Sequence, residues 1–205
     1  MTAQDYLLLK KAEHWASILG RLPGVQAIFL SGSLACGQAK KTSDIDLLII
    51  ARAGQIWTAR FYVFLVLKIC GQLAKPNNHK HKICPNHFLT DHSLQIQEHD
   101  AYSAFLFSHN IPLYDPEHLW PLFVELNQEW IERLGEKFAD IPDRNFGAPR
   151  KRFNIERSLS EGVFRNLQIW KVKKNPEYNT PGASIIMNKY ELRFHPQPKS
   201  KTWKK

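Results

Sequence analysis

Cysteine is scarce in this 205-residue chain: Cys36, Cys70 and Cys84 stand far apart and are odd in number. They form no Cys-x-x-Cys pair and no disulfide framework, so a reducing, cytoplasmic setting is expected. Long apolar runs are lacking as well. In QIWTARFYVFLVLKICGQLA, Arg60 and Lys68 leave only the seven residues Phe61–Leu67 without a charge, whereas a membrane span needs roughly twenty. A helix packed against a sheet is the expected fate of this stretch. A basic region followed by an apolar core and a cleavage site is missing from the start of the chain, which argues against a signal peptide. Acidic residues thin out towards the end. Residues 150–205 hold fourteen Lys/Arg against four Asp/Glu, a balance of +10, whereas residues 1–149 hold fourteen against fifteen. The net charge of +9 therefore belongs almost wholly to the last quarter of the chain.

Hydrophobic residues make up 43% of the sequence, enough for one sizeable core, or one core with a helical extension. Its centre is expected in two stretches. Val25–Leu30 reads as a strand ending in the turn Ser31-Gly32-Ser33, and Asp44-Ile45-Asp46-Leu47-Leu48-Ile49-Ile50 reads as a second strand. Strand side chains alternate faces, so Asp44 and Asp46 are expected to point the same way. Two carboxylates aimed together repel unless a cation lies between them. Hard oxygen ligands of this kind suit Mg²⁺ or Mn²⁺. Glycine permits a tight turn and close backbone approach. Gly32 and Ser33, opening a short helix over Leu34–Ala39, would offer N–H groups and a hydroxyl to a phosphate.

The pattern Gly32-Ser33, a ten-residue connection, then Asp44-x-Asp46, set in LSGSLACGQAKKTSDIDLLII, resembles the signature of the nucleotidyltransferase superfamily. That superfamily includes DNA polymerase β, kanamycin nucleotidyltransferase and the minimal nucleotidyltransferases. The resemblance covers residues 25–52. It implies an α/β (α+β) fold with a mixed sheet and packed helices, followed by a helical and basic C-terminal extension. It also implies transfer of a nucleoside monophosphate from an NTP, with ATP the expected donor, to an acceptor that the sequence does not name. Asp44 and Asp46 would be the catalytic metal ligands, and Gly32 and Ser33 would bind the nucleotide's phosphates. Active members carry a third carboxylate on a later strand. The corresponding run here, Lys82–Thr90, has no Asp or Glu, which leaves Asn86, His87 or the following Asp91 for that position. A catalytically degenerate module that binds nucleotide or nucleic acid is the alternative.

The remaining segments frame this centre. Residues 4–20 read as an amphipathic helix with a stripe of Tyr6, Leu7, Leu9, Trp15, Ile18 and Leu19. KPNNHKHK (75–82) reads as a basic loop beside the site, with Lys80 and Lys82 facing phosphate or acceptor. Its histidines, with Cys84, His87 and His92, fit no regular zinc spacing. Leu94–Ile96 suggests a short edge or hairpin strand, and Ala101–His109 a helix. The next helix carries Leu122, Phe123, Leu126, Trp130 and Leu134 inward and Glu125, Glu129, Glu132 and Glu136 outward. We divide the chain into a nucleotidyltransferase domain, residues 1–115, and an extension, residues 116–205. In the extension, KRFNIERSLSEGVFRNLQIWKVKKN reads as a basic helix, GASIIMNKYELRF as two short strands, and Lys199–Lys205 as an unstructured tail. Cations interleaved with Phe153, Phe164, Trp170, Tyr178, Phe194 and Trp203 over residues 150–205 could contact RNA or DNA.

Overall fold

The computed structural model of the chain describes residues 2–75, 77–141, 146, 159–174 and 184–195. Most of the loop 139–150, the start of the basic stretch at 150–158 and the tail Lys199–Lys205 lie outside them.

The chain opens with helix α1, Ala3–Leu19, started by a capping box. The Asp5 backbone N–H donates to Thr2 Oγ1 at 3.2 Å, and the Thr2 N–H donates back to Asp5 Oδ2 at 2.7 Å, so two donors at the helix start are satisfied reciprocally. Its buried face is Asp5, Leu8, Ala12, Ala16 and Leu19. This corrects the expected stripe, because Tyr6 and Leu7 are exposed. The small Ala12 and Ala16 let the helix lie close to the sheet, which bulk alone does not signal.

Strand β1 (Val25–Ser31), a single helical turn α2 (Gly32–Ala35) and strand β2 (Ile45–Ala51) follow. Helix α3 (Ile56–Ile69) crosses over to β3 (Ile83–Thr90), which pairs with β2 in parallel. Then come α4 (Ala101–Ser108), β4 (Ile111–Tyr114), α5 (Leu119–Arg133), α6 (Leu159–Lys173), β5 (Ser184–Met187) and β6 (Glu191–His195). The six strands form one mixed sheet in the order β4-β1-β2-β3-β6-β5. β1 runs antiparallel to both β2 and β4, and β6 runs antiparallel to both β3 and β5. The sheet thus continues past residue 115 through β5 and β6.

Helices cover both faces. Ile28, Leu30, Leu47 and Ile49 meet α1, α3 and Val172 of α6 on one side. Ala27, Phe29, Leu48 and Ile50 meet Ala104 and Phe107 of α4 and Phe123, Trp130 and Ile131 of α5 on the other. The central strands are apolar on both sides because both sides are covered. Leu94–Ile96 is not a strand. Asn127, wholly buried on α5, accepts from the Ile96 N–H at 2.9 Å and donates to the Leu94 carbonyl at 2.9 Å. A side chain thus satisfies backbone groups that a strand partner would otherwise take. On α5 itself the inward residues are Phe123, Asn127, Trp130 and Ile131, while Leu122, Leu126 and Leu134 are partly exposed.

Candidate active site

The end of β1 lies beside the start of β2, with Ser31 paired to Asp46. On the next strand, Cys84 of β3 pairs to Asp46 from the other side. Strand alternation puts Asp46 on the face of Leu48 and Ile50, the face covered by α4 and α5. Asp44 precedes the strand. Even so, one carboxylate oxygen from each aspartate and the Cys84 Sγ all lie within 4.8 Å of one another.

Gly32 has φ +71°, the left-handed region open to glycine. A Cβ added there would come within 2.1 Å of Asp46 Oδ2 and 2.8 Å of Asp46 Cβ. The turn and the carboxylate are therefore in direct contact, and only glycine leaves room for both. Ser33 Oγ donates to Ser43 Oγ at 3.2 Å, and Ser43 Oγ also accepts from the Lys40 N–H at 2.9 Å. These contacts close the connection between turn and second strand, so Gly32, Ser33, Asp44 and Asp46 share one end of the sheet.

Of the three residues considered for the position of a third carboxylate, Asn86 is the one at the site, donating from Nδ2 to Asp46 Oδ1 at 3.1 Å. His87 turns away and is buried, with Nε2 3.0 Å from Glu191 Oε1. Asp91 lies at the far end of β3, where it accepts from Gln26 Nε2 at 3.0 Å and from the Ala53 N–H at 2.8 Å. Asp91 is thereby excluded as a ligand beside Asp44 and Asp46. Lys82 donates to the Gly71 carbonyl at 2.6 Å instead of facing the aspartates. Among the described residues, the histidines assemble no metal-ligating cluster.

Two neighbours of the aspartates escape sequence reasoning. Cys84 is one, a scattered thiol by sequence. Burial first, then the charges of Asp46 and Asp44, hold that thiol well above its ordinary pKa. Its spacing in sequence carries no signal; only the parallel register of β2 and β3 brings it to Asp46. Tyr102, in the first turn of α4, is the other. Its phenol is pushed up to about 12, mainly by burial and then by the charge of Asp46. The site is thus half-buried, with two carboxylates beside the neutral Asn86 amide and the Cys84 thiol.

Its donor set can be tested against a divalent cation. Asp44 and Asp46 supply hard anionic oxygens within 4.8 Å of each other. Mg²⁺ usually takes one or two carboxylates, with water and substrate phosphates completing its shell. The residues fit such an ion.

Residues 13–78 match the family model described as Nucleotidyltransferase domain. The match takes in the last part of α1, the Gly32-Ser33 turn, both aspartates and α3, and it ends before β3. A solved crystal structure of a toxin-antitoxin with AMP-PNP is 18% identical, with 60% of this chain and 86% of that chain covered and a TM-score of 0.37. No match was found among curated proteins. Among the described residues, no helix is long and apolar enough to cross a membrane.

Proposed function

We propose that the protein is a metal-dependent nucleotidyltransferase that moves a nucleoside monophosphate, AMP in the first instance, from an NTP to an acceptor and releases pyrophosphate. The observation that carries this reading is the convergence of the Asp44 and Asp46 carboxylates, with Asp46 directly against Gly32. Asp44 and Asp46 hold Mg²⁺ or Mn²⁺, which when bound offsets charge on the attacking and leaving oxygens. Gly32 presents backbone close to the triphosphate, and Ser33 adds a hydroxyl whose position Ser43 fixes. Asn86 orients Asp46 through a neutral amide, which can donate but cannot act as a base. Residues 1–115 carry this machinery, since every residue named for it lies before β4, and residues 116–205 form the supporting extension. A cytoplasmic setting agrees with Cys36, Cys70 and Cys84 forming no disulfide.

Incubation with NTPs labelled at the α-phosphate, Mg²⁺ or Mn²⁺ and cell extract tests the proposal. The intact protein should transfer label and release pyrophosphate, whereas Asp46→Asn should stop turnover while leaving the thermal unfolding transition nearly in place. Full activity in that variant would remove Asp46 from the metal site.

A second reading has one specific observation behind it. On α6, Trp170 is 55% exposed, with Lys174 Nζ 4.0 Å above its ring and Lys171 and Lys173 in the same last turn. Such a surface can stack on a base and neutralise phosphate. Salt-sensitive binding of RNA or DNA without pyrophosphate release from any NTP would favour a non-catalytic nucleic-acid-binding role.

A further inference from the structure

Two helices carry apolar side chains on the side turned away from the sheet, and their charges are opposite. On α6, Gln168 and Val172 are buried and Phe164 stacks on Phe61 of α3. Val163, Leu167 and Trp170, spaced i, i+4 and i+7, fall on the opposite side of the same helix. They are exposed, Val163 to 63% and Trp170 to 55%. Cations flank that stripe, with Arg165, Lys171 and Lys174 all exposed. The single acid of α6, Glu161, is turned to the start of α3. On α5, Phe123, Asn127 and Trp130 face the core, while Leu122 and Leu126 are exposed one turn apart. Around them Glu125, Glu129 and Glu132 are exposed, and Glu129 meets Arg133 of its own helix at 3.0 Å. Because α5 covers one face of the sheet and α6 the other, leucines among carboxylates stand on one side of the molecule and an apolar stripe among cations on the other.

We propose that α5 of one copy of the chain docks on α6 of the next, so that the protein self-associates head-to-tail. Charge selects the occupant. Setting α6 against another α6 brings like cations together, and α5 against α5 brings like carboxylates together. The mixed pairing sets acid against base around an apolar centre, which is the complementarity that orients and selects partners. Trp170 is the anchor of that centre, a large aromatic side chain of the type that dominates binding energy once desolvated, with Leu122 and Leu126 of the neighbour opposite it. The two surfaces are different patches, so the contact is heterologous. Each docking leaves an open α5 on one copy and an open α6 on the other, and growth continues until a ring closes or a fibre forms. This inference is independent of the transferase reading, and it gives the α6 surface a protein partner in place of nucleic acid.

The test is sedimentation velocity of the full-length protein over a concentration series, at low and at high salt. The wild-type protein should grow in mass with concentration, and salt should weaken that growth by screening the flanking charges. Trp170→Glu spoils the α6 stripe and Leu126→Lys the α5 surface. Both positions are exposed, so each variant should keep the wild-type circular dichroism spectrum and associate at least about tenfold more weakly. Mixed together, the two variants should form a one-to-one pair and nothing larger, since Trp170→Glu retains a working α5 and Leu126→Lys a working α6. The charge reversals Lys174→Glu and Glu129→Lys repeat the mixing test without altering an apolar side chain. Wild-type protein that stays monomeric throughout, association that salt does not weaken, or variant mixtures that stay monomeric would each overturn the proposal. Association lost in Trp170→Glu but kept in Leu126→Lys would overturn it too, by showing that α6 meets its own copy. Monomeric protein that binds a single-stranded RNA oligonucleotide through Trp170 would assign the α6 stripe to nucleic acid instead.

Discussion

Gly32 and Asp46 compete for the same space, and the glycine yields. An alanine there would place its methyl 2.1 Å from Asp46 Oδ2 and 2.8 Å from Asp46 Cβ. The second contact is with a carbon close to the backbone, which rotation of the carboxylate cannot relieve. The left-handed backbone adds about 1–2 kcal/mol for any residue with a Cβ. Gly37 supplies the control: it has φ +66°, and a methyl added there would meet nothing within 4 Å. Gly37→Ala should therefore show only the backbone cost. Gly32→Ala should show that cost plus a displaced Asp46, measurable as a larger drop in the urea midpoint together with loss of metal binding. Equal destabilisation in the two variants, with metal binding intact, would mean that the turn does not position the carboxylate.

Helix α3 shows how an element can be completed from far along the chain. Its own N-cap residue, Gln55, makes no side-chain capping bond. Glu161 of α6 does so instead, accepting from the Trp57 N–H at 2.9 Å, the Thr58 N–H at 2.8 Å and Thr58 Oγ1 at 2.7 Å. A carboxylate on free N–H groups at the positive end of a helix is favourable twice over, by hydrogen bonding and by the dipole. Beside it, Phe164 stacks on Phe61 with centroids 4.1 Å apart, and Gln168 accepts from Arg60 Nη1 at 2.6 Å while donating to the Trp57 carbonyl at 2.9 Å. Glu161→Ala should cost about 1–2 kcal/mol, seen in chemical denaturation, and Glu161→Gln should cost less because one acceptor remains. No loss in either variant would show that α3 does not need its distant cap. The existence of both helices is legible in the sequence, one as an apolar stretch and the other as a basic one. Their joint is not legible, because more than a hundred residues separate donor from acceptor and no local pattern marks it. The same limit explains α1 and α5. Their buried faces use Ala12, Ala16 and Asn127, which hydrophobicity ranks below the exposed Leu7 and Leu122. By contrast, Gly32, Ser33, Asp44 and Asp46 lie within fifteen residues of one another. A glycine turn and strand alternation are local rules, so those residues can be placed together from sequence. Cys84 needs the register of a parallel pair, which only the folded sheet supplies.

At the scale of the whole molecule, β6 ties the end of the chain to its middle through a buried polar row. His87 on β3 meets Glu191 at 3.0 Å, Arg193 lies 3.4 Å from the same carboxylate, and Arg193 also pairs with Glu98 in the loop before α4. Phe107 of α4 packs edge-on against the imidazole. Burial dominates here: it holds His87 below its ordinary value of 6.5, despite the opposing pull of Glu191. The folded protein therefore keeps this imidazole neutral where the unfolded chain would already take up a proton. In that window the unfolded state binds more protons, so stability rises with pH. The contribution is fully present above about pH 6.5 and is lost progressively as pH falls towards the lowered native value. Urea midpoints measured from pH 8 down to pH 5 should be level at first and then fall. His87→Gln, which keeps a hydrogen-bonding group without a titrating ring, should flatten the fall while lowering the plateau. A wild-type profile that rises on acidification would mean that Glu191 outweighs burial and that the imidazole is held charged. Because β6 joins the C-terminal hairpin to the sheet by pairing with β3, loosening this row should release that hairpin before the β1-β2-β3 core, with amide exchange rising first at Leu192 and Phe194 and last at Leu47 and Ile49.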